Sequence, residues 1–310
     1  MLAILKTTPT GLTRLEEFEP GSWIDLVSPS EEELERVSRE LQIPLDLLVG
    51  PLDEEEKSRI DVEDGLTHVI VDIPILVREE EQRGYETIPL GMLIHPDYFI
   101  TTCLRPNPIL GEFERGTAKG FATFWKTRFL LQVLQRVSAF YLRYLGRIDR
   151  ETDKVERELR ASMKNAEIFD LLSLQKSLVY FTTSLRSNEA VLQKLPRTKT
   201  IKMYEEDQDL LEDVIIENKQ ASEMAKIYTD ILTGMMDAFT SVISNNLNRV
   251  MKLLTSLTII LAIPTIVASL FGMNVNLPFQ NYSHAFALTI VIAVVISAVF
   301  ALVFWRKRFF

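Results

Sequence analysis

Between Lys252 and Arg306 the chain contains no Asp, Glu, Lys or Arg. A stretch of that length without charge does not suit the surface of a water-soluble fold. A short polar loop at Gly272-Met273-Asn274 divides it into two apolar runs, about 253–271 and 285–305. Each is close to the roughly 20 residues that an α-helix needs to cross a bilayer core about 30 Å thick. Cysteine is almost missing. The one thiol, Cys103, lies in an apolar, strand-like run, which excludes an intramolecular disulfide and suits a small buried group in a reducing cytoplasm. Histidine is scarce and scattered: His68, His95 and His284 have no ligand spacing, and no nucleophile motif accompanies them. The glycine-bearing segment from Gly111 to Gly116 lacks the lysine of a phosphate-binding loop. These absences point away from an enzyme and from a nucleotide-driven pump.

Positive charge sets the expected orientation. Arg249 and Lys252 precede the first apolar run and Arg306, Lys307 and Arg308 follow the second, while residues 272–284 hold no Lys or Arg. Both termini are therefore expected in the cytoplasm, with the loop outside and the protein in the cell membrane. Tyr282 and Trp305 stand near the ends of the second run, where aromatic rings favour the interface. All 43 acidic residues precede Arg249, whereas five of the 34 basic ones lie at or beyond it, so the portion before the spans carries −14 and the rest +5. An acidic surface of that kind disfavours nucleic acid and is compatible with cations or plain solvation.

The reading is of an α+β protein in three parts: a cytoplasmic α/β domain over 1–119, a helical stalk region over 120–247 and a transmembrane hairpin over 248–310. No leader is expected at the start, where the run from Met1 to Leu5 reads as a first strand. Ser28-Pro29-Ser30-Glu31 has the form of a capping box with proline in the first turn, opening an acidic helix to about Leu41. Residues 67–77, 87–95 and 98–104 are rich in Ile, Val and Thr and read as strands, with Pro74 implying an edge or a bulge in the first. Helices are expected over 121–164 and 168–195. From 197 to 263 there is no proline and one glycine, Gly234, so a single helix is expected from about Glu206 to Phe271, roughly 100 Å long at 1.5 Å per residue. Leu210, Val214, Ala221, Met224, Tyr228, Ile231, Met235, Ala238 and Val242 mark an apolar seam along it, interrupted by Glu217.

The stepping of three and four continues into the apolar run with a change of residue type. Asn248, Met251, Thr255, Thr258, Ala262, Thr265 and Ser269 form a stripe that is small or polar apart from Met251, while the residues between are Leu, Ile and Val. Such a stripe serves close helix packing or a water-filled path. Pro264 is placed to bend the helix where water or a neighbour can satisfy the freed carbonyl. Two spans cannot enclose a pore, so a path along this stripe requires several copies around one axis.

The chain resembles the CorA family of divalent-metal transporters. The resemblance rests on Gly272-Met273-Asn274 after the first of two C-terminal spans and on the segment Asn248-Arg249-Val250-Met251-Lys252-Leu253-Leu254-Thr255 at its start. It implies a funnel-shaped homopentamer in lipid, with Gly272, Met273 and Asn274 as the outer selectivity site. Asn248 is then an inner polar ring, and Met251 and Leu254 an apolar constriction. Thr255, Thr258, Ala262, Thr265 and Ser269 line the path between. The implied activity is uptake of Mg2+, and of Co2+ or Ni2+, with no cofactor beyond the transported ion and a regulatory Mg2+. Cytoplasmic Mg2+ is expected to bridge a stalk carboxylate, Asp213 by position, to a neighbouring subunit, with Asp209 and Glu212 beside it. The partner position falls near Val49, with Asp46, Asp53 and Glu54 close in sequence, and Asp53 is taken as its acid. One departure bears on the metal: residues 275–281 carry no acid, whereas many Mg2+-selective relatives follow the motif with an acidic loop. A zinc or other transition-metal transporter of the same fold, proton-coupled or not, stays open, as does a two-span coiled-coil signalling or scaffold protein.

Overall fold

The computed structural model describes residues 1–78, 83–162, 165–198, 200–273 and 284–307. The chain divides into two compact units, Met1–Thr233 and Gly234–Phe310. The first holds seven strands, β1 (Leu2–Thr8), β2 (Gly11–Leu15), β3 (Trp23–Val27), β4 (Arg59–Glu63), β5 (Leu66–Arg78), β6 (Arg83–Ile94) and β7 (Phe99–Cys103). They form one mixed sheet in the order β2-β1-β3-β7-β6-β5-β4, antiparallel throughout except where β3 meets β7. The helices are α1 (Glu31–Leu41), α2 (Leu45–Val49), α3 (Pro108–Glu114), α4 (Lys126–Ser162), α5 (Asn165–Lys194), α6 (Glu205–Phe271) and α7 (Ala285–Arg306).

The centre of the sheet is buried on both faces. Ile24 and Leu26 of β3 pack with Leu34, Val37 and Leu41 of α1 and Leu48 of α2. On the other face the indole of Trp23 meets Phe129 of α4 edge-on at 5.1 Å, and Phe129 in turn touches Phe99, Phe113 and Phe121. A strand enclosed in this way loses the alternation by which strands are read from sequence, which is why β3 gave no signal. The short edge strands β2 and β4 were not foreseen either, whereas β1, β5, β6 and β7 fall where expected.

The long β5–β6 hairpin outruns its neighbours, and α5 covers the excess. β4 pairs with β5 only up to Ile70, and β7 with β6 only from Leu90. Beyond those points backbone groups need other partners. Asn188 of α5 supplies both for Asp72, accepting its N–H at 2.9 Å and donating to its carbonyl at 2.8 Å. Ser177 Oγ accepts the Tyr85 N–H at 2.9 Å. Pro74 lies in this half-paired stretch, so its edge reading holds without a bulge.

Three local readings change. The capping box at α1 is Ser30 with Glu33, not Ser28 with Glu31: the Ser30 hydroxyl accepts from Glu33 N–H while the Glu33 carboxylate accepts from Ser30 N–H. Ser28 is instead a turn residue with φ of 45°. The α4 helix begins at Lys126 rather than at 121, after a loop containing Gly120 with φ of 65°. Within the first unit the buried face of α6 is Asp207, Leu211, Val214, Asn218, Ala221, Ala225 and Leu232, sharing only Val214 and Ala221 with the expected seam. Asn218 belongs to it because its side chain donates to the Leu185 carbonyl at 3.1 Å, a polar residue that hydrophobic counting discards.

Candidate ion pathway

In the second unit, residues 241–255 of α6 are all exposed in the single chain. Ser256, Ile263 and Val267 are then buried, with Ile260 partly so, in steps of three and four. Ile263 and Val267 form a small apolar cluster with Ala293 of α7, against which Ile292 also packs. Ser256 was absent from the sequence reading, and its burial beside apolar residues is satisfied by donation to the Leu253 carbonyl at 2.9 Å. Ala293, a small residue among Val and Ile, is the signal that marks the α7 side of this contact.

The stripe lies elsewhere on the helix. Asn248, Met251, Thr255, Thr258, Ala262, Thr265 and Ser269 are exposed, as is Leu254. At 3.6 residues per turn their mean direction is about 140° from the face that α7 occupies. The second helix therefore leaves the stripe uncovered. Two of its hydroxyls are committed inward: Thr258 Oγ1 donates to the Leu254 carbonyl at 2.9 Å and Thr265 Oγ1 to the Leu261 carbonyl at 3.4 Å. A hydroxyl whose only hydrogen is used in this way presents lone pairs, and so acts toward anything beside the stripe as an acceptor. Pro264, next in sequence to Thr265, removes the amide that would otherwise bond the Ile260 carbonyl.

Both helices are long and apolar enough to cross a bilayer, and few of the residues in their most apolar windows are buried in the chain, 17% in α6 and 6% in α7. A core helix of a soluble protein would be mostly covered. At the end of α6 the Gly272 N–H donates to the Ala268 carbonyl at 2.9 Å, and a Cβ at Gly272 would stand 3.2 Å from that oxygen, a tight but not forbidden contact. Met273 is exposed. Asn274, Tyr282 and the acid-free loop 275–281 lie outside the described residues, as does Arg308.

The candidate regulatory carboxylates belong to the first unit. Asp209, Glu212 and Asp213 are exposed on α6. Glu217, one turn beyond Asp213, has its carboxyl held above the ordinary value, first by burial and then by the Asp213 charge, with Arg136 opposing. Asp53 is exposed and accepts the Glu55 N–H at 3.0 Å, while neighbouring Glu54 pairs with Arg105 at 2.6 Å. Among the described residues no hydrogen bond or ion pair joins Asp53 to Asp209 or Asp213, and no three His, Cys, Asp or Glu side chains of one chain gather as a metal-binding group. Cys103 is buried, its thiol pushed up to about 11 by burial, as befits an inert core residue.

A family profile described as CorA-like Mg2+ transporter protein matches residues 19–308, nearly the whole chain. The chain belongs to this family. The cobalt/magnesium transport protein CorA of Methanocaldococcus jannaschii is 31% identical over 291 residues, covering 92% of this chain and 90% of that protein. The CorA of Thermotoga maritima, also described as a cobalt/magnesium transport protein, is 25% identical over 169 residues, 54% of this chain and 48% of that one. In three dimensions the complete CorA magnesium transporter of Methanocaldococcus jannaschii superposes with a TM-score of 0.84 at 26% identity, over 99% of this chain and 98% of that one. The mixed-sheet unit, the long helix and the two apolar C-terminal helices are thus the CorA architecture.

Proposed function

We propose that this CorA-family chain assembles around an axis, as a homopentamer, into a channel that carries Mg2+, and also Co2+ and Ni2+, into the cell. The observation that carries this reading is the uncharged, acceptor-presenting stripe of α6, left uncovered by α7 and ending at Gly272-Met273. Mg2+ sheds its water reluctantly and requires near-octahedral coordination. A path lined by hydroxyl and amide oxygens accepts hydrogen bonds from that hydration shell and does not have to strip it. Asn274 side chains around the axis form the outer ring in this reading and Asn248 side chains the inner one. Met251 and Leu254 form a constriction that closes by dewetting. The driving force needs no nucleotide, since a divalent ion gains about 4.6 kcal/mol per 100 mV of inside-negative potential. Both termini are on the cytoplasmic side, and Mg2+ held between Asp213 of one copy and the acids near Asp53 of the next keeps the pore shut.

The stripe is tested by removing its acceptors. In proteoliposomes under an inside-negative potential, replacing Thr258 and Thr265 together by valine is expected to lower Mg2+ entry at least tenfold. Serine at both positions should retain most of it. Valine and wild-type proteins conducting alike would mean that the path runs elsewhere.

A further inference from the structure

Nothing in its backbone calls for glycine at Gly91. The residue lies inside β6, paired with Ile70 of β5 on one side and Thr102 of β7 on the other, and it is not among the glycines of positive φ. A glycine in the interior of a sheet packs no side chain and loses more chain entropy than any other residue, so it persists where another part of the chain comes close.

The close neighbour is Pro51, the buried middle residue of a single tight turn of helix, Gly50–Leu52. A Cβ on Gly91 would overlap Pro51 Cγ outright and stand 2.9 Å from Pro51 Cβ, where ordinary contacts are 3.4–4 Å. The pyrrolidine ring cannot swing aside as a flexible side chain does. His68 closes the niche from β5: its Nε2 would be 3.3 Å from the same Cβ, and the residue is only 2% exposed. Leu48 and Leu52, on either side of Pro51, pack with Ile24, Leu26 and Val37. Pro51 is thus set into the sheet, with glycine as its floor.

This turn leads directly into the acids. The Asp53 N–H donates to the Gly50 carbonyl at 3.2 Å, closing the turn over Pro51, and the exposed Asp53 carboxylate accepts the Glu55 N–H at 3.0 Å. Beyond Asp53 the segment is tied to the sheet by charge. Glu54 pairs with Arg105, just after β7, at 2.6 Å, and Glu56 pairs with Arg59 of β4, which also meets Asp61 at 2.6 Å. Partly exposed ion pairs of this kind hold weakly. The buried proline is the firm point.

We propose that Gly91 is a positioning residue of the candidate Mg2+ sensor, an assignment that rests on the proposal that the acids near Asp53 hold the regulatory ion. By leaving room for Pro51, Gly91 sets where Asp53 stands. A methyl group at position 91 lifts the proline by about 1 Å or more, because a packed interior has no slack to absorb it. Asp53, bonded back to Gly50, moves with it. An ion that demands near-ideal octahedral coordination tolerates little displacement of a ligand. Gly91 belongs to the first unit and takes no part in the path along α6, so the effect falls on closure and not on conduction.

Mg2+ entry into proteoliposomes at graded internal Mg2+ reads this assignment. Gly91→Ala is expected to raise the internal concentration that halves entry by about fivefold or more, with entry into vesicles loaded with chelator kept near the wild-type rate. Pro51→Gly, which removes the ring, should shift closure in the same direction. With that ring gone there is nothing left to displace, so adding Gly91→Ala should change the value by less than about twofold. Two shifts that add in full would overturn the proposal. So would an unshifted Pro51→Gly, which decides the matter if Gly91→Ala yields no folded channels. Asp53→Asn measured beside them separates the seat from the sensor. A shift in Asp53→Asn with Gly91→Ala closing as wild type would overturn the role of Gly91 alone, whereas Asp53→Asn closing as wild type would take away the sensor and the role of Gly91 with it.

Discussion

Trp23→Ala is expected to lower the stability of the Met1–Thr233 unit by about 3–5 kcal/mol, a large share of native stabilities of about 5–15 kcal/mol. Trp23 is fully buried, and its ring stands edge-on to Phe121 at 6.2 Å and to Phe129 at 5.1 Å. Removing it empties the space between β3 and α4. It also takes away the donor that orients the Thr101 hydroxyl, so a packing loss and a hydrogen-bond loss fall on one site. Trp125→Ala is the internal control, because that indole is 52% exposed and its place is held by backbone bonding of Trp125 N–H to the Ala122 carbonyl. Its effect should stay within about 0.5 kcal/mol. Urea-dependent proteolysis of the full chain in detergent distinguishes the two. Equal midpoints for both variants would show that the aromatic cluster is not what holds the sheet to its helices.

Asp213→Ala is expected to yield channels that keep conducting at internal Mg2+ concentrations that close the wild type. Asp209, Glu212 and Asp213 lie at spacings of three and four, which puts three like charges on neighbouring positions of one exposed helix face. Burial is the main cause that displaces Glu217 upward, and the Asp213 charge adds to it, the same repulsion felt one turn away. In the proposed pentamer each copy would add such a face, and a divalent cation at the contact would convert repulsion to attraction. In the proposed gate, loss of the Asp213 carboxylate would take a ligand from the cation and remove the advantage of the closed arrangement. Flux assays in liposomes at graded internal Mg2+ read this directly. Inhibition as strong as in the wild type would remove Asp213 from the sensor and move attention to Asp209 and the acids around Asp53.

What could be read from the residues followed their physics. The apolar helices were legible because a bilayer forbids charge, and the absence of Asp, Glu, Lys and Arg between Lys252 and Arg306 is a signal that needs no folding context. The stripe was legible for a similar reason, since Thr, Ser and Asn are out of place among Leu and Ile unless something faces them. β3 was not, because Trp23-Ile24-Asp25-Leu26-Val27 is covered on both faces and carries an acid at its centre, a pattern that neither strand alternation nor helical stepping describes. The face of α6 within the first unit was offset for a related reason: Asn218 counts as polar until its partner, the Leu185 carbonyl, is known. Ser28 was mistaken for a cap because Ser-Pro-Ser-Glu-Glu-Glu offers two serines and three glutamates, and only the geometry selects Ser30 with Glu33. Long-range polar pairs such as Asp25 with Thr101 are invisible to any local pattern, since only the fold brings β3 and β7 together.

The measurement that tests the central claim most directly is Mg2+ entry into proteoliposomes under an imposed inside-negative potential, with wild type beside Asn274→Ala and with Co2+ and Zn2+ in parallel. A potential-driven Mg2+ flux that the substitution abolishes is the result predicted for a pore filtered at Asn274. Zn2+ flux that follows a proton gradient, with no Mg2+ entry, would contradict it while leaving the fold intact, and no flux of any ion would return the chain to a scaffold role.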